Sequence, residues 1–490
     1  MKIVASKEEQ YQKWIKNNPL KKFTQRQKDE QDFKLEKEIE KELRFLDKLT
    51  IEEYNLTLKW EEVNDYCKNL EAKNNYGLVK RAKDKMWKVQ GRSDFRKIQP
   101  ELILITDDSD DFEIEETNYF GEKKFSTYEN NEDNKELWEC YRVLIASHAH
   151  SGVIGRSLKY MVRDKITQSY LGIICIAGSF HNLTVTNPYL FFDKTKELSN
   201  RNRDLSWHYY DLAPTHCGIG QTIIPTQPFG YTFNGGKLLA LLCLSDQVQK
   251  DWKRRYRNPL VSMETTALYG EKKQSQYDGL RPYWNAVGNT SGNTTLLPRK
   301  SVEEKMMQWH RLRFPQDHFS AMVYKLPNGQ DAKREKRGYI IEKVYKYFAK
   351  NNKQIKTYKR EGSGYQRKGY VSPLYVNTRE FLLNQITENE LIRNYDYSVK
   401  TLTDFWKFGY KGDSRKEKPN QKIMRMIKSD YKRKSSLESQ STAKTRLNYT
   451  VDKLRQVRIV NKISWHEKMY KESKQKVFDL YADKLKEGRL

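Results

Sequence analysis

This sequence predicts an α/β fold, with a mixed-sheet domain in the middle of the chain, charged helices before it and basic helices after it. Three observations predict that arrangement. Leu171-Gly-Ile-Ile-Cys-Ile-Ala-Gly-Ser is a short, β-branched, apolar run of the kind that forms a strand buried on both faces. From Gln221 the chain passes through a Gly/Pro-punctuated apolar run to Gly230, a glycine turn at Asn234-Gly-Gly-Lys, an apolar helical stretch and then Pro259-Leu-Val-Ser-Met-Glu-Thr-Thr. Strand, turn, helix and strand in that order make a βαβ unit. The first hundred residues show helical spacing instead of strand alternation.

In chain order, Phe33 to Leu46 places Leu35, Ile39, Leu43 and Phe45/Leu46 near one face of a charge-laced helix, which lies on a neighbouring domain or joins a short coiled coil. Asp107 to Glu136 is acidic and lacks apolar periodicity, as a linker or exposed loop would. A turn or short helix is expected after Val143, then a helix over Ser157–Asp164, the Leu171 strand, and strands at Trp207–Leu212 and Gln221–Ile224. In the helix after Gly236, Leu241, Leu244, Val248, Trp252 and Tyr256 recur at three- and four-residue spacing and should pack on the sheet. Pro259 closes its basic tail before the next strand. Beyond Lys300 the pattern is helix-rich, basic and aromatic, as in Gly338 to Lys350. The expected divisions are 1–106 (charged helical), 107–136 (acidic linker), 137–298 (α/β) and 299–490 (basic, helix-rich).

The formal net charge is +27, and residues 301–490 carry 44 Lys and Arg against 22 Asp and Glu, a net of +22. Such a surface attracts polyanions with an affinity that falls steeply with salt, so nucleic acid is the expected partner class, and the charge alone names no activity. Five scattered cysteines with no CxxC spacing argue against a disulfide framework or zinc knuckle. No apolar run reaches membrane-spanning length and the N-terminus lacks a signal-peptide core, so a cytoplasmic protein with no membrane partner is expected.

The turn Gly230-Tyr-Thr-Phe-Asn-Gly-Gly-Lys-Leu is close to a phosphate-binding Walker A loop but departs from it twice. An extra glycine displaces Lys237, and Leu238 stands where a hydroxyl should hold magnesium. ATP hydrolysis is therefore not expected. What survives is general: residues without Cβ let backbone N–H groups approach a phosphate at a helix start. The plain alternative is a Gly-Gly turn serving only strand-to-helix packing. A Ser/His/Asp triad or cysteine nucleophile has no elbow sequence around it. His148 and His150 flank Ala149, a spacing with which a metal site can begin, and no metal ligands are assigned.

After the second strand come Glu264, Ser275-Gln-Tyr277, and Tyr283-Trp284 with Gly288, Thr290 and Gly292; upstream stand Gly155-Arg-Ser-Leu-Lys and Leu171-Gly-Ile-Ile. Over about 150–295 these elements resemble the family of the Druantia anti-phage protein DruA and, more distantly, the phage DNA-modification proteins called Mom. The resemblance implies a fold related to the GNAT acyltransferases, with a coenzyme-A-type donor (acetyl-coenzyme A or similar) on the turn before the central helix, and iron as a possible metal. It also implies a phage or anti-phage setting. Mom-like sequences carry aspartate where Glu264 stands here.

On that basis Glu264 is the candidate base and Tyr277 the candidate acid or orienting group, with Asn234, Gly235, Gly236 and Lys237 on the donor's phosphates. An amine inside a duplex is out of reach, so a flipped base or single strand is expected, with Tyr231, Tyr283 and Trp284 available to stack on it. Lys333, Arg334, Lys336, Arg337, Arg367, Lys368, Lys432, Arg433 and Lys434 are candidates for phosphate contact. The plain alternatives are a strand-end carboxylate that caps backbone at Glu264 and core packing for the aromatics. The favoured function is a group transferase acting on a DNA base; a noncatalytic nucleic-acid-binding protein on the same scaffold and a nuclease component are the alternatives.

Overall fold

A computed structural model of the chain describes residues 6–20, 22–47, 51–75, 77–87, 97–105, 115–117, 123–125, 132–146, 149, 156–179, 215–226, 229–267, 275, 277–290, 294–295, 297–324, 336–355, 359–360 and 367–409. Helices α1 (Lys7–Asn17), α2 (Gln25–Asp47), α3 (Ile51–Ala72) and α4 (Gly77–Lys85) come first, then strand β1 (Pro100–Ile105), the short pair β2 (Glu115–Thr117) and β3 (Lys123–Phe125), and helix α5 (Glu132–Ile145). Strands β4 (Ser157–Asp164), β5 (Tyr170–Gly178) and β6 (Cys217–Pro225) lead to helices α6 (Phe229–Thr232), α7 (Gly235–Leu242) and α8 (Asp246–Tyr256). Next are β7 (Ser262–Ala267), β8 (Asn285–Asn289) and β9 (Thr294–Thr295), helices α9 (Lys300–Arg313), α10 (Pro315–Met322) and α11 (Lys336–Ala349), strands β10 (Lys359–Arg360) and β11 (Lys368–Pro373), and helices α12 (Thr378–Leu382) and α13 (Val399–Phe408).

Two compact units share these elements: residues 1–61 with 291–365, and residues 62–290 with 366–490. In the first, Leu35, Ile39 and Leu43 of α2 bury the face that their spacing predicts against Met306 and Trp309 of α9 and Ile340 and Val344 of α11. Glu42, almost fully buried on the same helix, is matched by the Arg299 guanidinium through a 2.7 Å and a 2.9 Å bond, which offsets the cost of taking its charge out of water.

The second unit is built on a seven-stranded sheet of order β1-β4-β5-β6-β7-β11-β8. Every neighbouring pair is antiparallel except β6 and β7, which run parallel, so the sheet is mixed as expected. It is not confined to 137–298: β1 comes from before that segment and β11 from after it. The residues up to 106 are thus not all helical.

Ser157–Asp164 is strand β4, not the expected helix. Leu158, Tyr160 and Val162 alternate into the main core, while Met161 points into a second cluster with Ile173 and Cys175 on the opposite face. Pairing to β1 on one side and β5 on the other satisfies both edges of the strand and overrides its local helical preference. The long helix expected after Gly236 is two helices, α7 and α8, parted at Cys243–Ser245, where the Ser245 hydroxyl caps the Val248 N–H. Leu241, Leu244, Val248 and Trp252 are nonetheless all buried against the sheet as their spacing requires. All five cysteines are buried thiols. Among the described residues no helix is long and apolar enough to cross a membrane.

Candidate active site

The parallel pair at the sheet's centre is short. β6 and β7 pair only at Cys217 with Ser262, Gly218 with Met263 and Ile219 with Glu264. Beyond that point β6 continues on β5 alone and β7 on β11 alone, and a side-chain bond from Thr265 Oγ1 to the Gly220 carbonyl, 2.9 Å, follows the last ladder pair. The strands therefore fork directly after Glu264.

The chain that leaves β6 turns through α6 into α7. Asn234, just before α7, has φ 55° and ψ 38°, a left-handed conformation that asparagine tolerates better than most residues. Gly235 is required by packing, because a Cβ there would lie 2.5 Å from the Phe229 ring. Gly236 is different: a Cβ there would meet only Pro225 Cγ, at 3.9 Å, so its surroundings are open. First-turn N–H groups lack intrahelical acceptors and carry the positive end of the helix dipole. One of them, on Lys237, is turned back to the Asn234 carbonyl at 2.8 Å.

Lys237 also reaches across to a loop. Its ammonium donates to the Asp278 carbonyl at 3.0 Å. The Asp278 carboxylate accepts from Lys368 Nζ at 2.9 Å and from the Tyr370 hydroxyl at 2.8 Å through Oδ1, and from the Ser275 N–H at 2.9 Å through Oδ2. Burial would raise its pKa, but the Lys368, Tyr370 and Ser275 bonds outweigh that and hold the carboxyl below its usual range. Tyr277 is buried with its ring edge-on to Tyr370, centroids 5.6 Å apart. Two ammonium groups and one carboxylate thus leave a positive balance around the Asp278 loop.

Glu264 is buried and accepts a hydrogen bond from the Ser179 hydroxyl. The Ser179 N–H donates to the Cys217 carbonyl at 2.9 Å, which fixes the serine at the end of β5. Burial, and then the Glu264 charge, push the Cys217 thiol well up, so it is no thiolate nucleophile. Strand alternation sets Glu264 on the opposite face from Met263 and Thr265, whereas Tyr277 belongs to the core cluster that contains Met263. The two candidate catalytic residues therefore do not share a face of the sheet; Glu264 is the last paired residue at the fork, and Tyr277 lies on the Lys237 side.

The family model for the Druantia protein DruA matches residues 73–384. The chain belongs to the DruA family. No curated protein and no solved structure matches it. The match takes in β6, the glycine turn, the fork, Asp278 and β11, and the family places this DruA-family chain in an anti-phage defence context.

Of the other residues singled out in this DruA-family sequence, Trp284 is 1% exposed with its indole N–H on the Ala240 carbonyl at 3.0 Å, and Tyr283 is enclosed by Tyr395, Tyr397 and Phe405. Both rings have their faces covered by protein, so the stacking expected of them has no exposed surface to act through. Arg337 is exposed and pairs with Glu303 at 3.0 Å, and the Arg367 N–H donates to Thr290 Oγ1 at 3.0 Å. Lys368, expected on phosphates of DNA, belongs instead to the Asp278 cluster. Lys333, Arg334, Lys432, Arg433, Lys434, His148 and His150 lie outside the described residues, as do the side chains of Tyr231 and Lys336. Among the described residues no group of three or more His, Cys, Asp or Glu is arranged to hold a metal ion. Ser179, Asp278 and Tyr370 were not visible as site residues in the sequence.

Proposed function

We propose that this DruA-family protein transfers a group from a coenzyme-A-type donor to a nucleobase of DNA, on a scaffold of the GNAT kind also used by the Mom proteins. The observation that carries this reading is the forked parallel pair with an open glycine at the start of the following helix, whose next residue, Lys237, shares Asp278 with Lys368. This reading puts the donor's phosphates at Gly236, where the absence of a Cβ leaves the backbone approachable and a helix start favours an anion. Gly236, Lys237 and Lys368 would hold them. When bound, such a donor supplies an acyl group activated as a thioester.

Glu264 would accept the proton released by an attacking amine nitrogen at its carboxylate, with the Ser179 hydroxyl holding that carboxylate in place. As the new N–C bond forms and the thioester C–S bond breaks, Tyr277, positioned by its edge contact with Tyr370 on the Lys237 side, would give its hydroxyl proton to the leaving thiolate or orient the base. The chain's net charge of +27 supplies the attraction for a polyanionic acceptor.

A second reading, a noncatalytic nucleic-acid-binding protein on this scaffold, is favoured by one observation: the Lys237 N–H and ammonium both already have protein acceptors. Two measurements separate the readings. Calorimetric titration with coenzyme A tests the donor site, and mass spectrometry of nucleosides from DNA co-expressed with the protein tests the reaction. Micromolar binding with a modified nucleoside supports transfer; no heat of binding and unmodified DNA would leave the binding-module reading.

A further inference from the structure

Among the described residues the first unit exposes the aromatic rings of Phe33, Phe314 and Tyr347, and the last two are neighbours. Phe314 is 41% exposed and Tyr347 36% exposed, with ring centroids 6.1 Å apart and planes at 69°. Phe314 sits at the corner where α9 ends and α10 begins, with Pro315 after it, so its ring stands out from the corner. Tyr347 lies on the outer side of α11, and its hydroxyl donates to Asp32 Oδ2 at 3.1 Å. Both rings lean on Trp309, at 5.8 and 4.8 Å. The Trp309 indole N–H and the Arg313 guanidinium also bond Asp32, each at 2.7 Å. A single carboxylate thus helps fix the rings before any ligand arrives, which lowers the entropic cost of binding.

Rings held rigid at a surface rich in cations are the equipment for stacking unpaired bases. On α11, Lys343, paired with Asp317 at 2.6 Å, stands one turn before Tyr347, and the exposed Lys350 follows directly after the helix. The unit as a whole (1–61 with 291–365) has 31 Lys and Arg against 20 Asp and Glu, a net of +11. An acidic peptide would satisfy the charge without needing two bare rings, and bases in a duplex are already stacked on one another. The complementary occupant is a polyanion with free aromatic faces.

We propose that Phe314 and Tyr347 form a stacking site for unpaired bases of a nucleic-acid strand. Because the rings are at 69°, two neighbouring bases cannot lie parallel on both, so each ring takes one base and the strand bends between them. The site is separate from the fork, and its test uses no donor.

The test is fluorescence anisotropy of the full chain with a labelled single-stranded oligonucleotide and with the matching duplex. Phe314→Leu and Tyr347→Leu keep apolar bulk and remove the aromatic face; each is expected to weaken single-strand binding about five- to a hundredfold, with duplex affinity and salt slope unchanged. Tyr347→Phe, which keeps the ring and loses only the bond to Asp32, should retain single-strand binding. Unchanged single-strand affinity in the double Leu variant, equal losses for strand and duplex, or an acidic peptide that binds in a ring-dependent way while the strand does not, would each overturn the proposal.

Discussion

Lys368 Nζ sits 2.9 Å from Asp278 Oδ1 across 90 residues of sequence, and the backbone carbonyl of that same aspartate takes the ammonium of Lys237. One loop residue therefore gathers a cation from α7 and a cation from β11. Lys237→Met and Lys368→Met should each weaken coenzyme A binding about tenfold, and less so at high salt. Asp278→Ala discriminates further. Were the carboxylate only a counter-charge, its removal would tighten anion binding; because it holds both lysines in place, weaker binding is expected. Calorimetry of the three variants at two salt concentrations reads this directly.

The two glycines of the turn should behave oppositely. Gly235→Ala drives a methyl group against the Phe229 ring and should cost about 1–3 kcal/mol in overpacking. Gly236→Ala meets nothing closer than 3.9 Å, and alanine in a helix should leave stability unchanged or raise it by up to about 1 kcal/mol. Gly236→Val should fold and lose donor binding while its salt-dependent DNA affinity stays. Thermal melting with calorimetry distinguishes the pair; equal loss of donor and DNA affinity in Gly236→Val would argue against separate sites.

Glu264→Gln preserves side-chain size and can still accept the Ser179 hydroxyl, so the variant should fold normally while group transfer falls by about 10²–10⁴. Ser179→Ala acts differently. It deprives a buried carboxylate of a donor and should lower stability by about 1–3 kcal/mol. Denaturant titration alongside nucleoside analysis checks both; full transfer activity in Glu264→Gln would remove the carboxylate from the reaction.

What was legible in the sequence was what local pattern encodes. The buried stripe of α2, the strand at Leu171 and the strand–turn–helix–strand order around Gly235 follow from apolar spacing and glycine placement, and the structure has them. Ser157–Asp164 misled because a strand buried on both faces shows no clean alternation, and its pairing partners lie elsewhere in the chain. At the candidate site, the openness of Gly236 was inferable from residue type, but its contrast with Gly235 depends on where Phe229 packs. Lys368 and Tyr370 reach Asp278 only because β11 inserts between β7 and β8, a crossover that no local signal announces. For the same reason Tyr283 and Trp284 look like a binding pair in sequence and prove to be core.

The first unit should loosen in mild acid. His310 Nδ1 and His318 Nδ1 face each other at 3.4 Å, with Asp317 3.2 Å from His310 Nε2 and with Arg311 and Lys343 among the neighbouring charges. Burial, then the His310 and Arg311 charges, push His318 down to about 4, below its unfolded value near 6.5. A depressed histidine pKa means that the unfolded chain binds the proton first. Its contribution is therefore complete above about pH 6.5 and is lost as pH falls towards 4, by on the order of 2–3 kcal/mol. Hydrogen exchange across 300–322 between pH 7 and pH 4 should show protection falling in that window, and His318→Phe should flatten the dependence.

Charge outside the described residues should govern the salt dependence of DNA binding. Residues 410–490 hold 23 Lys and Arg against 10 Asp and Glu, a net of +13, close to half of the chain's +27. The last described helix, α13, ends at Phe408, so deleting 410–490 removes this charge and leaves every strand of the sheet in place. A cut at 330 would instead take away β11 and expose the edges of β7 and β8, confounding charge with unfolding. Each phosphate neutralised contributes nearly one unit to the slope of log affinity against log salt, so the shorter chain should bind DNA with a visibly shallower slope. Binding of one duplex from about 50 to 200 mM salt measures it. An unchanged slope would move the phosphate contacts onto residues before 410, with Arg337 and Arg367 the first exposed side chains to substitute.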